Sequence, residues 1–77
     1  MDKWQEPVKI TVPLSGSVRV DGPFVALVVL MDEWPNIRGP GYVKARSLCR
    51  AAIAGRKTVE EARAHFIEAA REANLMH

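Results

Sequence analysis

Apolar and polar residues alternate over two short stretches near the start of the chain. Valine and isoleucine occupy every second position over residues 8–12, and valine does so again over 18–20. This period of two is typical of β-strands that bury one face and expose the other. Residues 14–17, which lie between the stretches, contain a glycine and two serines and predict a turn. The pattern therefore predicts an antiparallel hairpin, which needs helices on its apolar face because an isolated hairpin is only marginally stable.

A continuous apolar run from Phe24 to Met31 follows the hairpin. Its β-branched residues are compatible with a strand, but the run does not alternate, and Asp21 and Pro23 before it are typical of a helix start. We therefore predict a helix that begins with Asp21 as its cap and ends at Trp34, because Pro35 follows. Since this helix is apolar on all sides, we expect it to be buried on most sides or to place one side in a subunit interface.

Two further helices are indicated by apolar residues spaced three and four positions apart. The first begins near Tyr42 and ends at Gly55, and the second follows a capping box of Thr58 and Glu61 and runs to about Ala73. Asn74 is suited to the left-handed conformation that closes a helix. The apolar positions of the first are Tyr42, Ala45, Leu48, Cys49, Ala52 and Ile53, and those of the second are Val59, Ala62, Phe66, Ala69, Ala70 and Ala73.

These elements predict one small α+β domain over residues 1–77, in which an N-terminal two-stranded antiparallel hairpin packs on three helices in the order β-β-α-α-α. We expect residues 1–6 and 75–77 to be flexible, as chain ends often are. A chain of 77 residues with one cysteine has a small core and no internal disulfide. Self-association would supplement that core, so a homodimer is one candidate state of the chain, and a dimer whose interface includes the first helix should lose association when Val25 or Val29 becomes a charged residue.

Basic residues are concentrated in the middle of the chain. Residues 36–57 hold six basic and no acidic residues, whereas the whole chain has a net charge of only +2. The basic face at residues 38–57 makes nucleic acid an alternative partner, bound weakly through Lys44, Arg46 and Arg50. The third helix is rich in glutamate, which is unsuited to the reading helix of a helix-turn-helix motif. A solvated basic face is the simpler explanation of this stretch.

The longest apolar run is eight residues, too short to cross a bilayer as a helix. The polar N-terminus does not have the pattern of a signal peptide. We expect a cytoplasmic protein that makes no membrane contact.

A set of positions spread over nearly the whole sequence matches a known family pattern. These positions are Trp4, Pro7-Val8, Trp34-Pro35, Gly39-Pro40, Tyr42, Ala45, Cys49, Gly55, Ala62-Arg63, Phe66 and Ala69-Ala70. Through them the chain resembles the small alphaproteobacterial proteins grouped as domain of unknown function 982, with Asn74 in place of an expected glycine. The resemblance implies a short bacterial protein and no particular activity.

No arrangement of residues in the sequence indicates catalysis. Cys49 lies within the apolar stripe of the second predicted helix, so we expect a buried structural thiol. His65 and His77 cannot complete a metal site with one cysteine, and we expect His65 to pair with Glu61 on the helix surface. The Gly39-Pro40-Gly41 segment lacks the lysine of a phosphate-binding loop and is expected only to turn the chain. We therefore expect no enzyme activity, no cofactor and no metal.

Three charged positions carry structural expectations. Asp32 and Glu33 lie at the end of the first predicted helix, where the macrodipole disfavours acids, so we expect an ion pair with Arg46 or Arg50. Arg63 should lie at the core edge with its guanidinium on a carbonyl or an acid. An anion-binding role for Arg63 is the alternative.

The residue types most enriched at binding surfaces cluster around a proline-stiffened loop. They are Trp34, Arg38, Tyr42 and Arg46, which we take as candidate partner-binding residues. The alternative is that Trp34 and Tyr42 fill the junction between the helices and the hairpin. On this basis we predict a non-enzymatic interaction module, which associates with itself or with a protein partner.

Overall fold

The structure of the protein is a computed structural model that describes residues 3–76. Two strands, β1 (Val8–Val12) and β2 (Gly16–Val20), precede three helices, α1 (Pro23–Asp32), α2 (Pro40–Ile53) and α3 (Val59–Glu72). The strands pair antiparallel, with Val8 opposite Val20 and Val12 opposite Gly16. The predicted α+β class and element order are confirmed.

The hairpin buries one face and exposes the other, as the alternating pattern predicts. Val8, Ile10, Val12 and Val20 are all buried in the core. Gly16 takes a positive φ of 71° at the start of β2, a conformation that favours glycine and closes the tight turn. The backbone amide of Thr11 donates to the carbonyl of Leu75 at 2.9 Å, which ties the C-terminal segment to β1.

The centre of the core is Phe66 on α3, which is fully buried. The rings of Trp4 and Trp34 pack on the Phe66 ring. The distances between ring centroids are 5.6 Å for Trp4 and 5.7 Å for Trp34. The Trp4 indole also donates to the carbonyl of Val59 at 2.7 Å. The apolar stripe predicted for α3 is confirmed, because every position from Ala62 to Ala73 in that stripe is buried.

Two residues near the ends of the described chain pack into the core. Trp4 and Leu75 are both buried, although they lie within the segments predicted to be flexible. The Trp4 amide donates to Asp21 and the Leu75 amide donates to Ala70, each at 2.8 Å. Burial of a large apolar side chain with a paired backbone outweighs the entropy of a free end. Residues 1, 2 and 77 lie outside the described part of the chain.

The N-terminus of α1 differs from the prediction in its capping residue. Gly22, not Asp21, is the cap, and as a glycine it offers no side chain to bond the first turn. The Asp21 carboxylate instead lies 3.4 Å from the ammonium of Lys3. Pro23 is the first helical residue, as predicted, because its fixed φ suits that position and its missing N–H costs nothing there.

Helices α2 and α3 form an antiparallel pair that packs along most of its length. The predicted capping box is present, with the Glu61 amide donating to the Thr58 hydroxyl at 3.1 Å and the Glu61 carboxylate accepting from the Thr58 amide at 2.9 Å. These bonds lower the pKa of the Glu61 carboxyl. Asn74 has a φ of 57°, the predicted left-handed conformation.

Candidate interaction surface

Two of the four predicted partner-binding residues are part of the core. Trp34 and Tyr42 are 5 % and 4 % exposed, and their rings lie 6.1 Å apart. The Tyr42 hydroxyl donates to the carbonyl of Leu30 at 2.9 Å, which joins α2 to α1. Both side chains therefore fill the junction between the helices, the alternative that the sequence analysis gave for them. Large aromatics are favoured in small cores for the same reason that they are favoured at interfaces, since each removes much apolar area from water.

Arg38 is the exposed member of the predicted set. Its guanidinium carbon lies 5.1 Å from the centroid of the Tyr42 ring, and one terminal nitrogen donates to the carbonyl of Trp34 at 3.4 Å. Cation–π contact and this bond hold the arginine over the outer face of the tyrosine. Arg38 therefore marks the place where the Trp34–Tyr42 junction meets solvent.

The predicted ion pair between the end of α1 and the arginines of α2 is not formed within residues 3–76. The Ser15 hydroxyl donates to the Glu33 carboxylate, which joins the hairpin turn to the end of α1. Arg50 instead reaches the sulfur of Met31, with 3.9 Å between nitrogen and sulfur. Arg46 is half-buried, and its Nε has no hydrogen-bond partner within the described chain. Glu33 is bound by a residue 18 positions earlier, a pairing that helix periodicity does not reveal.

The outward side of α2 is basic and carries two shallow grooves. Val43 and Ser47 line both grooves, with Arg38 and Lys44 on one side and Arg46, Arg50 and Arg56 on the other. The structure thus brings the predicted nucleic-acid contacts Lys44, Arg46 and Arg50 to one surface. No residue of α3 is among those that line the two grooves within the described chain.

Helix α1 presents a second surface, which is apolar. Phe24, Val28 and Met31 are 54 %, 40 % and 47 % exposed, and their spacing places them on one face of the helix. We call these three residues the α1 outer face. Val29, in contrast, is buried, and Val25 is partly buried against the core. Charged substitutions at Val25 or Val29 would therefore disturb the core and are unsuited to test an interface.

A family model described as protein of unknown function (DUF982) matches residues 6–77. The chain belongs to this family. It is also similar to the protein Atu1219 of Agrobacterium tumefaciens, whose structure was solved by NMR. The two are 32 % identical with a TM-score of 0.79, over 97 % of this chain and 75 % of that chain. No curated protein matches. The resemblance drawn from the sequence is confirmed.

Chemistry at the single cysteine of this DUF982 chain is limited by burial. Cys49 is fully buried, and desolvation raises the pKa of its thiol to about 12. A thiol with this pKa is almost entirely protonated at neutral pH and is a poor nucleophile.

His65 pairs with Glu68 at 3.8 Å rather than with Glu61, whose carboxylate is engaged in the capping box. Within residues 3–76, no three His, Cys, Asp or Glu side chains are close enough to hold a metal ion.

The Gly39-Pro40-Gly41 segment has a role that the sequence analysis missed. Gly39 caps α2 and Pro40 begins it, and the Gly41 amide donates to the Glu72 carboxylate at 3.2 Å. A Cβ at Gly39 would lie 2.9 Å from a Glu72 carboxylate oxygen, and one at Gly41 would lie 3.2 Å from it. The DUF982 chain therefore places an acid from the end of α3 on the positive end of the α2 macrodipole. Gly41 and Glu72 are 31 positions apart in the sequence, so the local sequence pattern does not predict their contact.

The described helices are all too short or too polar to span a membrane.

Proposed function

We propose that this DUF982 protein is a non-enzymatic interaction module that associates with a second copy of itself through the α1 outer face. The observation that carries the proposal is the exposure of Phe24, Val28 and Met31, three large apolar side chains on one face of a ten-residue helix. Apolar side chains grouped on one exposed helix face are typical of binding surfaces, whereas single exposed ones are ordinary.

Charge favours a second copy as the partner of this face. A two-fold symmetric contact uses the same surface patch on both copies, so a patch whose charges all have one sign repels itself. Helix α1 has no charged residue before Asp32 at its end, and its outer face therefore meets its own copy without repulsion. The outward side of α2 is basic and would repel its own copy. Arg50, beside Met31, lies at the border between the two surfaces.

The size of the domain gives self-association a physical benefit. A domain of 77 residues buries a small fraction of its chain surface compared with larger domains. The proposal also places the protein in the cytoplasm, where its single unpaired cysteine matches a reducing compartment.

Sedimentation equilibrium over micromolar to millimolar concentrations tests the proposal. We expect the wild-type mass to rise toward that of a dimer and Phe24→Ser to remain a monomer. Serine at the first turn of a helix is well tolerated, so the variant should fold. Ile37→Ser is the matched control, because Ile37 is also about half exposed but lies in the loop before α2. A wild-type protein that is monomeric at every concentration would contradict the proposal.

The basic side of α2 supports a second candidate function, a nucleic-acid-associated regulatory role. The supporting observation is that Arg38, Lys44, Arg46, Arg50 and Arg56 surround Val43 and Ser47 on one surface. Such a surface would contact the phosphate backbone of a nucleic acid and not the edges of its bases. We therefore expect binding that is weak and sensitive to salt.

Fluorescence anisotropy with random duplex and single-stranded DNA tests this second candidate. Arg50→Glu combined with Lys44→Glu should weaken binding to all sequences alike. Arg71→Glu is the control, since Arg71 is exposed on α3 and does not line either groove. If no binding occurs even at low salt, or if Arg71→Glu weakens binding equally, the basic surface of α2 is not a nucleic-acid site and its residues are simply exposed to solvent.

A further inference from the structure

A third surface of the molecule combines basic and apolar side chains in one concavity. It lies between the exposed side of the hairpin, α3 and the C-terminal segment, and it has a volume of about 600 Å³. Lys9, Arg19 and Arg63 line it together with Ile67 and Met76. We call this concavity the hairpin groove. It shares no lining residue with the α1 outer face or with the grooves of α2.

Two of the basic residues of the groove are placed unfavourably for the fold. Lys9 on β1 and Arg19 on β2 are directly opposite each other in the strand register, and both side chains are exposed. Like charges at facing positions of an antiparallel pair destabilise it. Within residues 3–76, the carboxylates that form ion pairs do so with Lys3 and His65, so none neutralises this pair. A bound anion would remove the repulsion.

The third basic residue is held in place by the backbone. Arg63 Nε donates to the carbonyl of Glu6 at 3.0 Å, a contact across 57 positions of the chain. This bond confirms the predicted position of Arg63 at the core edge. It uses only one of the guanidinium donors, and the terminal nitrogens keep the planar pair of N–H groups that suits a carboxylate or phosphate. Because the tether reduces the freedom of the side chain, less entropy is lost when an anion binds.

The apolar part of the groove determines what kind of anion fits. Ile67 and Met76 are partly buried and pack against the core, so their outer surfaces form an apolar wall beside the basic residues. Ligand sites commonly combine an apolar lining with a few polar groups that orient the ligand. A bare inorganic anion would leave this wall unused.

We propose that the hairpin groove binds a small organic oxyanion, with its carboxylate or phosphate head between Lys9, Arg19 and Arg63 and its apolar body against Ile67 and Met76. The head would bridge the two strands and α3. The site is independent of the proposed self-association, because the two surfaces have no residue in common.

NMR titration of the labelled wild-type protein tests this site with four probes: octanoate, octyl phosphate, inorganic phosphate and octanol, each below its aggregation limit. We expect saturable shifts at Lys9, Arg19, Arg63 and Ile67 with octanoate and octyl phosphate. Inorganic phosphate and octanol should bind at least about tenfold more weakly, because each lacks one half of the interaction. Higher salt should weaken binding of the two amphiphilic anions. Whichever of octanoate and octyl phosphate binds with the higher affinity identifies the preferred head group, carboxylate or phosphate.

Three variants distinguish a built site from a generally basic surface. Arg63→Gln should weaken octyl phosphate binding by about tenfold or more, as expected for loss of a charge-assisted bond. Lys9→Gln with Arg19→Gln should also weaken it, and this variant keeps its fold because both residues are exposed strand positions. Arg71→Gln removes the same charge from an exposed residue of α3 that does not line the groove, and this variant should bind like wild type.

Three outcomes would overturn the proposal. They are the absence of saturable shifts with both amphiphilic anions, equal weakening by Arg71→Gln, and shifts confined to Phe24, Val28 and Met31. The last result would show that the alkyl chain adsorbs on the α1 outer face and not in the groove.

Discussion

The two sides of α1 are equally apolar, but only one of them is explained by the fold. Ala26, Val29 and Leu30 are buried against the rest of the domain, whereas Phe24, Val28 and Met31 face solvent. Neither side carries a charge before Asp32, which is the last residue of the helix. The inner side shows what the core requires, and the outer side shows apolar surface that exceeds that requirement. Hydrophobicity along a helix therefore indicates burial, but it does not distinguish burial in the monomer from burial in a complex.

A large effect is expected at one of two neighbouring residues of α1, of which Leu30 is buried and Met31 is exposed. Leu30→Ala should lower the free energy of unfolding by about 2–5 kcal/mol, because Leu30 is fully buried and the substitution leaves a cavity. Met31→Ala should change it by about 0.5 kcal/mol or less when the protein is dilute. Urea unfolding of both variants measures the difference. Equal losses in the dilute monomer would mean that the two sides do not differ as described.

A second prediction concerns the aromatic junction at the end of α1. Trp34→Ala should cost about 3–5 kcal/mol, since it removes a buried ring that contacts Tyr42 and Phe66. Trp34→Phe should cost much less, about 1 kcal/mol. The reason is that the Trp34 indole N–H has no hydrogen-bond partner within the described chain, so its loss leaves nothing unsatisfied. Chemical denaturation of the two variants separates ring packing from hydrogen bonding. Equal costs would show that the indole N–H matters.

The contrast between inner and outer positions continues on α2, where Cys49 is buried and Arg50 is exposed. Burial raises the pKa of Cys49 to about 12, whereas the unfolded thiol ionises near 9.0. Because the unfolded state loses its proton first, stability should fall as the pH rises above about 9, by about 1 kcal/mol per pH unit. Urea unfolding at pH values on both sides of 9 should show this loss, and Cys49→Ala should remove that part of it. The same pH dependence in both proteins would contradict the assignment.

The smallest expected effect on stability is a gain. Lys9→Thr should raise the free energy of unfolding by about 0.2–1 kcal/mol, because it removes the like-charge contact with Arg19 and places a good strand former there. Lys44→Thr, on an exposed position of α2, is the control and should give no gain. Thermal unfolding at low salt measures both. A loss of stability in Lys9→Thr would show that the ammonium has a partner that offsets the repulsion.

Features set by local periodicity were predictable from the sequence. The hairpin, the buried stripe of α3, the Thr58–Glu61 capping box and the left-handed Asn74 all depend on residues within a few positions of one another. Proline and glycine marked most helix ends for the same reason.

Features that depend on contacts between distant parts of the chain were not predictable. Trp4 is buried because α3 lies beneath it, and Glu72 reaches Gly41 because α2 and α3 are antiparallel. Trp34 and Tyr42 have the composition of a binding surface, yet their positions between helices make them core. Likewise, Arg63 meets Lys9 and Arg19 only after α3 packs against the hairpin. Residue type alone therefore did not separate core aromatics from exposed residues, whereas packing shows that Phe24, Val28 and Met31 are the exposed apolar residues of α1.

A concentration series of amide NMR spectra tests the central claim, that the α1 outer face binds a second copy. With increasing wild-type concentration, we expect progressive shifts at Phe24, Val28 and Met31 and at the adjacent Arg50, while Lys9 and Arg19 remain unchanged. Phe24→Ser should abolish these shifts and Ile37→Ser should retain them. Shifts centred on Val43 and Ser47, or the absence of any concentration dependence up to millimolar protein, would contradict the claim.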